Sequence, residues 1–286
     1  MLRNIVDVFK IRIGMLIALT ALGGLLVMPG PSLPVWKILL LVMTVFMSSA
    51  AAGAFNQYSE YDLDSRMART RKRPFVTGAF PHNRYWLLGI GALLLTAVLI
   101  ATVALNWVSA LYIFLGAFTY AVVYTVWLKR RTWLNIVFGG LAGSFAVLAG
   151  AAAVDPALGP LPVILAIVLF LWTPSHFWSL AIALHQDYKD AGVPMLPVVK
   201  GDQAAAWIIL GNTVLLLVAS LAPVFYGLGG FYLAGALTGG IYFLVRNVQL
   251  VRDPTPKTAM INFFASLIQL SLLLLALMVE VAVRAW

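Results

Sequence analysis

Polar positions in this chain are bunched, and long apolar stretches run between the bunches. Nine such stretches stand out, at about 12–28, 36–57, 85–104, 107–127, 135–153, 161–184, 204–223, 231–250 and 260–283. A membrane-spanning helix needs roughly 20 mostly apolar residues. The pattern therefore predicts nine transmembrane helices in a single domain over 1–286, with no separate soluble module. The first stretch begins within a dozen residues of the N-terminus. No small-residue cleavage pattern follows it and equally long stretches come later, so it reads as a retained helix and not a signal peptide. No Arg/Ser-rich targeting extension precedes it.

Composition points the same way. The 286 residues are 62% hydrophobic and 10% charged, with a mean hydropathy of +0.96. Soluble domains sit near 45–50% apolar and about 25% charged, so a water-soluble reading is excluded. There is no cysteine, which excludes disulfides, thiol nucleophiles, zinc ribbons and cysteine-held iron–sulfur clusters. The net charge of +9 has a topological reading. With nine spans, 17 of the 19 basic residues fall at the N-terminus or in the loops after helices 2, 4, 6 and 8, leaving Lys37 and Arg284 on the other side. Basic loops stay in the cytoplasm. The expectation is a multi-pass protein of a bacterial inner membrane, N-terminus cytoplasmic and C-terminus on the far side.

Eight of the ten acids also lie on or near the cytoplasmic side, although charge sorting makes no such demand on Asp and Glu. They cluster in two loops, 59–74 and 185–202, which are also the longest connections. Long loops on one face usually carry function. Their spacing four helices apart hints at a duplicated unit.

In the first loop, continuation of helix 2 would place Asn56, Glu60 and Asp64 at i, i+4 and i+8, on one face. Like charges at that pitch repel, so the row is favourable against a divalent cation. Mg²⁺ takes oxygen ligands and bridges carboxylates to phosphates. Arg69, Arg71, Lys72 and Arg73 follow with donors for phosphate oxygens. Asp62 points off that face and can pair with Arg66. The competing reading is a solvated, salt-bridged loop.

In the second loop, Asp187 and Asp190 share a helical face and can hold a second Mg²⁺, or can be surface acids paired with Lys189 and Lys200. His176 sits inside helix 6, about two turns from its cytoplasmic end and beside Pro174. An ionisable group there is a functional candidate, and the proline should loosen a helix that lines a cavity. A neutral histidine bonded across the bundle is the plainer alternative.

Three motifs resemble the haem O synthase branch of the UbiA-type intramembrane prenyltransferases, over essentially the whole chain. The first is Asn56, Glu60 and Asp64 followed by Met67, Arg69-Thr70 and Arg73-Pro74. The second is Tyr124-Thr125 with Leu128-Lys129-Arg130 and Thr132. The third runs from Trp172 to Ala181 and on through Asp187-Tyr188, Ala191-Gly192, Pro194-Met195-Leu196-Pro197-Val198 and Lys200-Gly201. Three positions depart from the family pattern. Ile11 stands where proline is usual between Lys10 and Arg12, Ser175 replaces a common proline, and Asp190 matches no fixed acid.

The resemblance implies an all-α membrane fold with a central cavity open to the cytoplasm, capped by the loops after helices 2 and 6. It implies transfer of a farnesyl group from farnesyl diphosphate to a vinyl group of haem b with addition of water, giving haem O and diphosphate. Asn56, Glu60, Asp64, Asp187 and Asp190 would be the Mg²⁺ ligands. Arg69, Arg73 and Lys129 would bind diphosphate, Tyr124 and Lys129 would act in catalysis, and His176 would contact the haem. The partners implied are lipid and a haem A synthase or terminal oxidase assembly, with no nucleic acid. The rival readings are a prenyltransferase for an aromatic quinone precursor and, further away, a transporter. Transporters place charge near the midplane, whereas these acids sit at one face.

Overall fold

The computed structural model describes residues 1–284. A helix occurs at each of the nine apolar stretches. We label them α1 (Ile11–Val27), α2 (Val35–Ser59), α3 (Tyr85–Ala104), α4 (Trp107–Phe118), α5 (Asn135–Val154), α6 (Pro160–Ala183), α7 (Asp202–Phe225), α8 (Gly230–Arg252) and α9 (Pro256–Arg284). α4 continues as a π-helix, Thr119–Leu128. No strand occurs among the described residues. Seven of these helices, α2 to α7 and α9 with the π-helix counted into α4, are long and apolar enough to cross a membrane. α1 is shorter, at 17 residues. The chain is a multi-pass membrane protein. Large apolar side chains such as Leu88, Val103, Val218 and Leu275 stay exposed on the helices, as a lipid-facing surface requires.

The packing falls into two compact units. The first holds residues 1–130 and 141–158; the second holds residues 131–140 and the chain from Gly159 onward. In the first unit α2 packs on α1, α3 and α4. Its core is built from small residues, among them Ala18, Ala21, Ala110, Ala149 and Ala153. Gly24 on α1 lies against the Val147 backbone of α5, and Gly150 on α5 lies against the Ala21 backbone of α1, so a Cβ at either would overlap a carbonyl. Close backbone approach through small residues is how helices associate when lipid removes the hydrophobic drive between them.

In the second unit α7 packs on α6 and α8, and α9 packs on α6 and α8. Glu280 near the end of α9 accepts hydrogen bonds from the Phe231 and Tyr232 backbone N–H groups at the start of α8. That arrangement caps donors that would otherwise be unsatisfied.

Candidate active site

The acidic ladder is built at the end of α2. The helix breaks at Glu60 (φ −98°, ψ 16°) and restarts as a short helix, Tyr61–Arg66. The break preserves the helical register, because Glu60 N–H still bonds the Asn56 carbonyl (3.0 Å) and Asp64 N–H the Glu60 carbonyl (2.7 Å). Asn56, Glu60 and Asp64 are each 2% exposed. The side chain of Asp62 is 51% exposed. Its partner is Arg130, through two bonds of 2.7 and 2.8 Å, and not Arg66. These bonds hold the Asp62 carboxyl below its ordinary pKa and raise that of Arg130.

Each oxygen of the ladder faces a cation. Lys10 Nζ donates to Asn56 Oδ1 (2.6 Å), and Lys129 Nζ donates to Glu60 Oε1 (2.5 Å). Arg73 donates to both Asp64 oxygens (2.6 and 2.8 Å) and lies 4.0 Å from Glu60 Oε2. Arg73 thus marks where the two carboxylates converge. Burial raises the Asp64 carboxyl pKa, and the Arg73 charge opposes that shift. Lys10 is pushed well below its usual value, first by burial and then by the Arg73 charge. Three basic side chains thus face two carboxylates in this cluster.

The sequence reading gave no role to Lys10 or Tyr120, and Thr125 stood only as a motif letter. Lys10 joins the N-terminal helix Leu2–Val8 to α1 with a left-handed backbone (φ 48°, ψ 45°), uncommon for a residue with a side chain. Its ammonium also donates to the Tyr120 hydroxyl (2.8 Å). Asn56 Nδ2 donates to Thr125 Oγ1 (3.0 Å), so both ends of the Asn56 amide are fixed. The wide π-helical turn lets Thr125 Oγ1 bond the Tyr120 carbonyl five residues back. It also stacks Tyr120 on Tyr124, with ring centroids 5.5 Å apart. Lys129 lies 5.6 Å from the Tyr124 ring centre and Lys10 lies 5.2 Å from that of Tyr120, so both rings already face cations. Arg69 is exposed and outside the ion pairs of this cluster.

The donor set suits Mg²⁺. It offers two carboxylates and an amide carbonyl, all hard oxygens, all buried, and all turned toward positive charge. No group of three or more His, Asp or Glu side chains gathers among the described residues. The ladder would hold such an ion through few protein ligands, which leaves positions for phosphate oxygens. The Arg73 and Lys129 donors fit the same anion.

The other expected site residues lie in the second unit. Asp187 and Asp190 sit on the short helix His185–Asp190. Asp187 is half-buried, and Asp190 is exposed and accepts from Gln186 (2.6 Å). His185 bonds Asp202 (2.6 Å).

His176 is 6% exposed. Its ring is stacked between Trp172 and Phe263, at centroid distances of 4.2 and 4.4 Å. Its Nδ1 lies 2.7 Å from Ser266 Oγ. Ser266 Oγ also lies 2.6 Å from the Phe263 carbonyl; with the serine hydrogen directed there, Nδ1 carries the ring proton and donates to the serine. In the neutral ring this leaves Nε2 with a free lone pair.

The chain as a whole has relatives among known proteins. The UbiA prenyltransferase family matches residues 17–273. Protoheme IX farnesyltransferase 2 of Paramagnetospirillum magneticum is 56% identical, over 98% of this chain and 97% of that protein. Protoheme IX farnesyltransferase 1 of the same organism is 49% identical, over 97% and 98%. Among solved structures, one of digeranylgeranylglyceryl phosphate synthase superposes with a TM-score of 0.81 at 19% identity, over 98% of each chain. A UbiA homologue from Archaeoglobus fulgidus, bound to DMAPP and Mg²⁺, superposes with a TM-score of 0.71 at 15% identity, over 94% of this chain and 99% of that one. These likenesses carry the fold, and the sequence match carries the family. The chain belongs to the UbiA prenyltransferase family.

Proposed function

We propose that the protein transfers a farnesyl group from farnesyl diphosphate to a vinyl group of haem b, with addition of water, giving haem O and diphosphate. The observation that carries the reaction type is the buried ladder Asn56–Glu60–Asp64, faced by Lys10, Lys129 and Arg73. The haem acceptor rests on near full-length identity to protoheme IX farnesyltransferases.

Asn56, Glu60 and Asp64 would hold Mg²⁺, with Asp187 the main acid from the second loop; Asp190, exposed and bonded to Gln186, contributes least. The metal, when bound, neutralises charge that develops on the departing diphosphate. Buried Lys129 and half-buried Arg73 donate to diphosphate oxygens from preorganised positions, and Arg69 adds a donor from the exposed loop. Tyr124 would offer its ring to the allylic cation once Lys129 has turned to the diphosphate. His176 contacts the haem, and its free Nε2 is the atom suited to iron.

The chain crosses a bacterial inner membrane nine times with its N-terminus in the cytoplasm, and both acidic loops lie on that side. This reading is supported by the distribution of Lys and Arg.

The test is an acceptor comparison. Purified protein with farnesyl diphosphate and Mg²⁺ receives either haem b or 4-hydroxybenzoate. The hydroxyethylfarnesyl product should form with haem alone. A prenylated aromatic acid with no haem product would overturn the assignment, as would substrate uptake into vesicles with no prenyl product.

A further inference from the structure

Lys10 reaches the acidic ladder from a strained corner of the chain, and the chemistry above gives it no part. It joins the helix Leu2–Val8 to α1 and is the one non-glycine residue with a positive φ among the described residues. A left-handed backbone costs energy for a residue with a Cβ, and such strain gathers at functional sites. The stem of Lys10 then runs over Gly53 on α2. A Cβ at Gly53 would lie 3.3 Å from Cβ, Cγ and Cδ of the lysine, tighter than ordinary contact. Gly53 stands three residues before Asn56, about one helical turn, so the glycine clears a lane along α2 toward that amide. The corner and the lane together deliver the amino group to Asn56 Oδ1 (2.6 Å). All of these residues belong to the first unit.

That contact has a consequence for the metal. Asn56 Nδ2 donates to Thr125 Oγ1 (3.0 Å), so the amide is held one way round and Oδ1 is its ligand atom. Asn56 is 2% exposed, and the lysine amino group lies on that oxygen. Mg²⁺ needs a full octahedral shell of oxygens at about 2.1 Å. An amino group 2.6 Å from one ligand oxygen intrudes on that shell. Lys10 also has somewhere to go. Its amino group donates to the Tyr120 hydroxyl (2.8 Å) and lies 5.2 Å from the centre of the Tyr120 ring. It can release Asn56 and keep Tyr120.

We propose that Lys10 is a displaceable cover on Asn56, which competes with the metal for Oδ1 and withdraws to Tyr120 when the metal enters. This rests on the reading of the ladder as a metal site. The competition makes a divalent ion on its own a poor ligand. A diphosphate supplies oxygens that complete the metal's shell, and that gain offsets the hydrogen bond lost from Lys10 to Asn56. Lys10 thereby favours joint entry of metal and diphosphate over entry of the metal alone.

The experiment is titration of the full chain with Mn²⁺, followed by electron paramagnetic resonance, with no prenyl diphosphate present. Lys10→Met should tighten Mn²⁺ binding at least about fivefold, the scale of one hydrogen bond. The gain should vanish without Asn56: Lys10→Met with Asn56→Ala should bind Mn²⁺ within about twofold of Asn56→Ala alone. A gain that survives in the Asn56→Ala background would come from long-range charge and would overturn the proposal, as would the absence of any gain in folded Lys10→Met. Gly53→Ala keeps the lysine and crowds its stem. It should tighten Mn²⁺ binding at least about twofold, and it decides the matter if Lys10→Met does not fold. Farnesyl diphosphate that binds the parent protein equally in Mg²⁺ and in chelator would instead overturn the metal reading of the ladder, and this proposal with it.

Discussion

The two acidic loops look alike in sequence and differ in the folded chain. After α2, Glu60 and Asp64 are buried and each is locked to a cation. After α6, Asp187 is half-buried and Asp190 is exposed with only a glutamine for company. Buried ion pairs are costly to assemble and give little net stability. A cluster that sets buried Lys129 and half-buried Arg73 and Lys10 around two buried carboxylates is better explained by the charged ligand it is shaped to take. The exposed acids carry no such cost and say correspondingly less. Charge in a loop was therefore a weak signal, and charge drawn out of water is the strong one. The contrast recurs inside the first loop, where Asp62, paired with Arg130 at the surface, sits two residues from Glu60 and from Asp64.

Five substitutions of acids bear on this contrast, and two of histidines sharpen it. The largest loss should come from Glu60→Gln or Asp64→Asn. Turnover should drop at least about 100-fold, or about 2.7 kcal/mol of transition-state stabilisation, with helical circular dichroism retained. Unchanged steady-state rates would remove the ladder from the chemistry. Asp187→Asn should cost about tenfold in turnover. A loss as large as that of Asp64→Asn would make the two loops equal partners and end the contrast.

His176→Ala should weaken haem binding by about fivefold and shift the visible spectrum of the haem-loaded protein, while farnesyl diphosphate affinity holds. His185→Ala, whose partner is Asp202, is the control. An unaltered spectrum would leave His176 as a packed core residue between Trp172 and Phe263. Asp62→Asn and Asp190→Asn should change turnover by less than about twofold, the scale of exposed pairs. A large effect of Asp62→Asn would mean that helical face does not sort these acids.

Much of this was legible in the chain. The nine helices fall on the nine apolar stretches to within a few residues, except at the C-terminal end of the chain, where α9 begins four residues earlier. The ladder was legible because hydrogen bonds of the α-helical type survive the break at Glu60, so i, i+4, i+8 spacing still meant one face. What could not be read came from long-range placement. Lys10 reaches Asn56 across 46 residues of chain, from a left-handed position that no periodicity announces. Arg130 takes Asp62 across 68 residues, displacing the local Arg66 pairing that helix spacing favoured. The π-helix that brings Thr125 under the Tyr120 carbonyl leaves no mark in apolar periodicity.

The central claim is that the buried cluster after α2 takes metal and diphosphate as one unit, and calorimetric titration tests it most directly. With Arg73 and Lys129 already paired to the carboxylates, Mg²⁺ alone should bind weakly. Farnesyl diphosphate should bind at least about tenfold tighter with Mg²⁺ than with a chelator, and Asp64→Asn should abolish that gain. Equal affinity for farnesyl diphosphate in Mg²⁺ and in chelator would contradict the account.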